Sequence, residues 1–199
     1  MEACFVNLVE PGTRPLVIEA GKFGERWVKM PKVFGLNVVE IKVEWGKAPT
    51  EEQILAALKA NPDTKAVYLT HSETSTGAAT DVKTLAKLIH ENSNALVCVD
   101  GITAVGAHEM RFDEWGIDVC VTGSQKGLMI PPGLGFVALS KRAIDAIETA
   151  KLPRFYFDLK KALKSYADND TPWTPAVSLI IGVDAALQKI REEGIENVW

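Results

Sequence analysis

Ala95-Leu96-Val97-Cys98-Val99-Asp100-Gly101 sets five apolar residues in an unbroken row and ends them on an acid and a glycine. A strand with one wet face alternates polar and apolar residues, whereas an uninterrupted apolar row reads as a strand covered on both faces, as in a parallel sheet between helices. Val119-Cys120-Val121 has the same character, and the two rows mark the centre of a sheet. Outward from Ala95–Asp100 and Val119–Gly123, further strands are expected over Leu16–Ala20, Val38–Glu44, Ala66–His71 and Gly135–Ser140. Helical spacing fills the intervals at Thr50–Ala60, Asp81–Asn92, Ser140–Lys151, Asp158–Tyr166 and Pro175–Glu193. Thr50 and Asp81 stand where N-caps belong, the first followed by Glu51 and Glu52, the second by the apolar spacing Val82, Leu85, Ala86, Ile89. The alternation predicts a three-layer α/β/α fold around a mainly parallel sheet.

Composition narrows the partners. The 199 residues are 47 % hydrophobic and 24 % charged, ordinary for a soluble globular domain and contrary to disorder or coiled coil. The formal charge is −4 with no cluster of Lys and Arg, which removes the electrostatic footprint that nucleic acid or anionic lipid requires. The apolar stretch Ala176–Val183 falls far short of the roughly 20 residues needed to cross a bilayer. Glu2 near the start, with no basic segment leading into an apolar one, argues against a secretory signal. Cys4, Cys98 and Cys120 form no spaced framework, so a reducing cytosol is expected. Met1 opens directly onto the helix-like Glu2–Leu8 with no cap ahead of it, and Trp199 ends the chain just after a helix expected to stop at Gly194, so both ends are read as cut from something longer.

In open parallel sheets the ligand crevice lies beyond the carboxyl ends of the strands. Three adjacent strand ends are unusually polar: the hydroxyl-rich His71-Ser72-Glu73-Thr74-Ser75-Thr76-Gly77, the carboxylate of Asp100 before Gly101, and Thr122-Gly123-Ser124-Gln125-Lys126-Gly127 with one amine among small residues. Each has an ordinary reading alone, as a capping loop, a turn and a surface charge. Taken together they suit pyridoxal phosphate, which needs an amine for its Schiff base, a carboxylate at its pyridine nitrogen, hydroxyls at its phenolic oxygen, an aromatic face and a phosphate cup. At about 4 Å and an effective dielectric near 20, a carboxylate stabilises a cation by roughly 4 kcal/mol, or about three pKa units, enough for Asp100 to keep the ring protonated. Other chemistries lack their motifs. No Gly-x-Gly-x-x-Gly follows the first strand, and the lysine loop lacks the Gly-Lys-Ser/Thr order of a P-loop. His71, His90 and His108 are scattered, and His71-x-Glu73 has no Pro-Cys-x-x-Cys partner, so no metal site is expected. His71 is open to two readings, as a residue lining the crevice or as a packed or capping histidine.

The runs Thr70–Gly77, Val99-Asp100-Gly101-Ile102-Thr103-Ala104-Val105-Gly106 and Gly123-Ser124-Gln125-Lys126-Gly127, with the lysine 26 positions after the acid, resemble class V aminotransferases, in particular the alanine-glyoxylate and serine-pyruvate group. Met1-Glu2-Ala3, Asn7-Leu8-Val9-Glu10-Pro11-Gly12, Gly21-Lys22-Phe23-Gly24-Glu25-Arg26 and Pro131-Pro132-Gly133 extend the likeness along the chain. The resemblance implies the large domain of a fold type I pyridoxal 5'-phosphate enzyme. It implies Lys126 as the Schiff-base and proton-shuttling lysine, Asp100 at the pyridine nitrogen, and Phe23 as the stacking ring where many relatives use Trp. Ser75 would be a hydroxyl near the ring, Gln125 an amide anchoring phosphate or phenolic oxygen, and Thr174 a group reaching the phosphate of a neighbouring subunit. The implied reaction moves an amino group from alanine or serine to glyoxylate or pyruvate.

The family's Gly-Ser/Thr-Gly-Thr phosphate loop would precede Met1, and its substrate-binding arginine would follow Trp199, so the isolated chain is expected to be inactive. A cysteine desulfurase is disfavoured because Gln125 replaces the histidine before the lysine and Cys98 and Cys120 fall in expected strands. A phosphonate-directed aminotransferase shares every large-domain motif and stays open, as does a non-catalytic structural fragment. Pro153-Arg154-Phe155-Tyr156-Phe157 concentrates three aromatics in five residues and, with the resemblance, implies a homodimer.

Overall fold

In the computed structural model, which describes residues 1–199, the chain runs α1 (Glu2–Val6), β1 (Leu16–Glu19), α2 (Gly24–Val33), β2 (Val39–Lys42), α3 (Glu51–Ala60), β3 (Ala66–Thr70), β4 (Ser72–Glu73), β5 (Ala78–Ala79), α4 (Val82–Asn92), β6 (Leu96–Asp100), β7 (Val119–Gly123), β8 (Gly135–Leu139), α5 (Lys141–Thr149), α6 (Leu159–Ala167), α7 (Val177–Glu193) and α8 (Ile195–Val198). Six strands form one sheet in the order β2-β1-β3-β6-β7-β8. All neighbours run parallel except β7 and β8. The link from β7 to β8 carries no helix, and without a crossover element of a dozen or more residues a strand returns antiparallel.

The apolar rows do what unbroken rows require. In β6, Leu96 and Cys98 enter one core, with Val17, Tyr68, Phe5, Trp27 and Ile147, while Val97 and Val99 enter the other, with Leu69, Ile54, Leu85 and Ile89. The sheet thus has α1, α2 and α5 on one face and α3 and α4 on the other, the expected three layers. Thr50 caps α3 through a reciprocal box with Gln53, and Asp81 accepts the Thr84 N–H at the start of α4.

Two helices lie where none was expected. α2 contains Gly24 and Pro31, both poor helix formers, but buries Trp27, Val28 and Pro31 against the sheet, so packing overrides propensity. α8 restarts immediately after Gly194, which takes a φ of 87° between the two helices. The hydroxyl-rich loop after β3 also folds further than expected, into the antiparallel β4–β5 ribbon. At β1 the strand order reverses, with β2 on one side and β3 on the other. Such a switch point opens a crevice at the carboxyl ends of the strands.

Candidate active site

The loops leaving β1, β3, β6 and β7 meet at this crevice. Phe23, Thr70, Thr74, Asp100, Thr103 and Lys126 line a single cavity there, so the acid and the amine, 26 residues apart in sequence, converge. Asp100 is the last residue of β6, in register with Thr70 of β3 and Val121 of β7. Its Oδ1 accepts the Ile102 N–H at 3.0 Å, while Oδ2 is buried with no hydrogen-bond partner. Burial pushes the Asp100 carboxyl above its ordinary value, against the pull of the Ile102 N–H. Thr70 Oγ1 is likewise buried and unpartnered, and the Trp27 indole N–H, which also draws on the Asp100 carboxylate, makes no hydrogen bond of ordinary geometry. Native interiors rarely leave such atoms unsatisfied, and two of them, on Asp100 and Thr70, belong to residues that line the cavity, as a place prepared for a ligand requires.

Lys126 sits on a turn whose backbone is tightly constrained. Ser124 is fully buried, donates its hydroxyl to the Pro131 carbonyl at 2.8 Å and accepts the Leu134 N–H at 3.2 Å. Gly127 lies backbone to backbone against the turn after β6, where a Cβ would come within 2.2 Å of the Val105 carbonyl oxygen. Gly106 answers with a φ of 82°. This contact holds the loop that carries Lys126 against the turn that follows Asp100.

Other expected residues fall differently. Ser75 does not line the cavity. Its hydroxyl accepts the Lys22 N–H at 2.9 Å and donates to Glu73 at 2.6 Å, so it is spent on the turn before α2. The hydroxyl residues of this loop that line the cavity are Ser72 and Thr74, the latter within 2.6 Å of Thr103 Oγ1. Gln125 is exposed and folds back over Gly123, where a Cβ would meet its Oε1 at 2.9 Å. Thr174 lies on a separate apolar groove with Tyr156, Phe157 and Trp173, which shares Ile102 with the first cavity. His71 is buried off the cavity, its ring 5.7 Å from that of His108 and edge-on to Trp115. Burial, then the neighbouring His108, lowers its pKa to about 4. No cluster of three or more His, Cys, Asp or Glu is placed to hold a metal.

Sequence reading missed Glu73, buried between the loops after β1 and β3. An acid in a hydroxyl-rich run carries no local sign of a partner 50 residues away. It also missed Asp118, buried at the amino end of β7, although an acid set between Ile117 and Val119 in an apolar row was a signal.

The family model for aminotransferase class V matches residues 3–199, and the chain belongs to that family. It is 45 % identical over its whole length to the soluble hydrogenase 42 kDa subunit of Anabaena cylindrica, covering 52 % of that protein. It is 41 % identical, again over its whole length, to L-aspartate–glyoxylate aminotransferase of Paracoccus denitrificans, covering 51 %. The crystal structure of alanine–glyoxylate aminotransferase from Nostoc sp. superposes with a TM-score of 0.93 at 33 % identity, covering all of this chain and 53 % of that one. The chain therefore spans about half the length of the curated relatives it matches.

Proposed function

We propose that the protein containing this chain is a pyridoxal 5'-phosphate-dependent aminotransferase, and that residues 1–199 are most of its cofactor-holding large domain. One observation carries the reading: Asp100, one of whose carboxylate oxygens is buried without a hydrogen-bond partner, and Lys126 line the same cavity at the switch point of the sheet. The unpartnered Asp100 Oδ2 suits a protonated ring nitrogen, for an N–H donor there would satisfy an atom the protein leaves bare. Phe23 would stack on the ring, Thr74 and Thr103 would offer it hydroxyls, and Gln125, exposed beside the lysine, is assigned to its phosphate or phenolic oxygen. Thr174, on the neighbouring groove, is assigned to the phosphate bound by a second subunit. When bound, the cofactor supplies the electron sink for the carbanion formed as the α-proton leaves. The Lys126 amine would tether it and, once released by the arriving amino acid, carry that proton at Nζ. Asp100 would hold the ring protonated throughout.

The substrates proposed are a small amino acid, alanine or serine, and a 2-oxo acid, glyoxylate or pyruvate. Glyoxylate appears in the names of both the Paracoccus relative and the Nostoc structure, whereas their donors differ, so the acceptor is the better supported half. We further infer a homodimer, supported by the exposed Phe155, Tyr156 and Phe157 beside Trp173. A cytosolic setting is supported by three free, buried cysteines. No helix is long and apolar enough to cross a membrane.

Titration with pyridoxal 5'-phosphate should produce a visible absorption band that Lys126→Ala abolishes, and a spectrum identical in both proteins would overturn the reading. For the full-length parent, glyoxylate-dependent consumption of alanine or serine is expected. Sedimentation that shows only monomer at micromolar concentration would exclude the shared site.

A further inference from the structure

Glu73 is buried at 2 % exposure, yet it does not line the cavity. Its Oε2 accepts the backbone N–H groups of Phe23 at 3.1 Å and Gly24 at 3.0 Å, and its Oε1 accepts the Ser75 hydroxyl at 2.6 Å. Those two N–H groups open α2, whose N-cap residue is Phe23, a side chain with no acceptor to offer. The first turn of a helix has four N–H groups without intrahelical partners, and a carboxylate placed there satisfies them and complements the helix dipole. The position normally held by Ser, Thr or Asp is occupied by an aromatic ring that lines the cavity, so the cap is delivered from another loop.

That loop is itself held. The carbonyl of Glu73 accepts the Gly77 N–H at 2.8 Å, and β4 pairs with β5. Packing around the carboxylate leaves no slack: a Cβ on Gly21 would meet Glu73 Cγ at 2.5 Å, and one on Gly24 would lie 3.0 Å from the Cα of Glu19. One turn into α2, the Arg26 guanidinium lies 4.8 Å from the centre of the Phe23 ring, outside the cavity lining. Phe23 is thus fixed at its backbone by Glu73 and along its ring by Arg26.

We propose that Glu73 is a positioning residue that acts through Phe23. By capping α2 from the opposite loop, it presets the aromatic wall against which the cofactor ring stacks, so the ring need not be ordered at the moment of binding. The inference rests on the functional reading above and adds to it a residue that touches neither cofactor nor substrate.

The test has a cofactor-free arm and a cofactor arm. In Glu73→Ala, amide hydrogen exchange at Phe23 and Gly24 should accelerate at least about tenfold while the amide of Ile89 in α4 stays unchanged. Affinity for pyridoxal 5'-phosphate should weaken about tenfold, with Glu73→Gln, which keeps one acceptor oxygen, falling between it and the parent. Because Glu73 acts through Phe23, the double variant Phe23→Leu/Glu73→Ala should bind within about twofold of Phe23→Leu alone. Affinity unchanged in Glu73→Ala, or losses that add in the double variant, would overturn the proposal, and if Glu73→Ala does not fold, Glu73→Gln decides by the same two criteria. If the unaltered chain shows no Lys126-dependent binding, the functional reading fails first. Faster Phe23 exchange in Glu73→Ala would then leave Glu73 as a helix cap with no cofactor role.

Discussion

At the amino end of the sheet, the buried Asp118 accepts the Val97 N–H at 3.0 Å, the Ser140 hydroxyl at 2.7 Å and the Arg142 guanidinium at 3.0 Å. His90 beside it is equally engaged. Its Nε2 faces the Gly116 carbonyl at 2.7 Å and its Nδ1 faces Arg142 at 3.0 Å. A carbonyl only accepts and a guanidinium only donates, so these contacts use Nε2 as the donor and Nδ1 as the acceptor. At the carboxyl end, Asp100 and His71 are buried as well, but Asp100 Oδ2 and His71 Nδ1 have no partners. Asp118 is a finished joint at one end and Asp100 unfinished chemistry at the other, while His71 lies off the cavity. Burial alone does not mark a site; an unpartnered buried polar atom on a residue that lines the cavity, as at Asp100, does.

Asp118→Ala should have the largest effect, because it strands three donors at once. A loss of roughly 4 kcal/mol in unfolding free energy is expected by urea denaturation, with pyridoxal 5'-phosphate binding retained by the folded fraction. A loss under about 1 kcal/mol would mean that the amino-end network is not a structural joint.

The next effect concerns the carboxyl end and acid. His71 has a folded-state pKa of about 4 against an ordinary 6.5, so the unfolded chain takes up the proton first as the pH falls. Its contribution is held above pH 6.5 and lost as the pH falls towards 4, amounting to on the order of 3 kcal/mol. Thermal unfolding followed from pH 7 to pH 4 should show that decline in the parent and a flatter profile in His71→Leu. Parallel profiles would place the acid sensitivity elsewhere.

The smallest and most informative change is Asp100→Asn. Burial raises the Asp100 pKa, so ionisation at neutral pH costs the cofactor-free fold stability. Removing the charge should raise unfolding free energy at pH 7 by less than either change above. The sign follows from linkage: the cost is absent below the ordinary value of 3.8 and grows as the pH rises through the raised value, so the advantage of Asn shrinks in acid. In the intact enzyme the same variant should bind cofactor and lose transamination. Asp118→Asn should gain nothing at any pH. Transamination within a few-fold of the parent in Asp100→Asn would remove the electron-sink role.

Much of this contrast was legible in the amino acids. Unbroken apolar rows located the central strands, and a strand-end acid and a glycine-flanked lysine pointed to one crevice, because side chains after parallel strands must emerge on the same edge. Less legible was everything fixed by partners distant in sequence. α2 is helical because Trp27 and Val28 are buried, not because Gly24 and Pro31 favour helix. Ser75 and Thr74 are adjacent hydroxyls, and only the turn before α2 decides that Ser75 binds Lys22 N–H while Thr74 reaches the cavity. Asp100 and Asp118 read alike, as acids bordering apolar rows, until their hydrogen bonds are traced.

The most direct check is covalent. The chain is incubated with pyridoxal 5'-phosphate, reduced with borohydride and digested, and the labelled peptides are identified by mass. A cavity built around Asp100 and Lys126 predicts a single pyridoxyl label on Lys126. Label spread over exposed lysines such as Lys22, Lys29 and Lys47, with Lys126 no richer than they are, would contradict it.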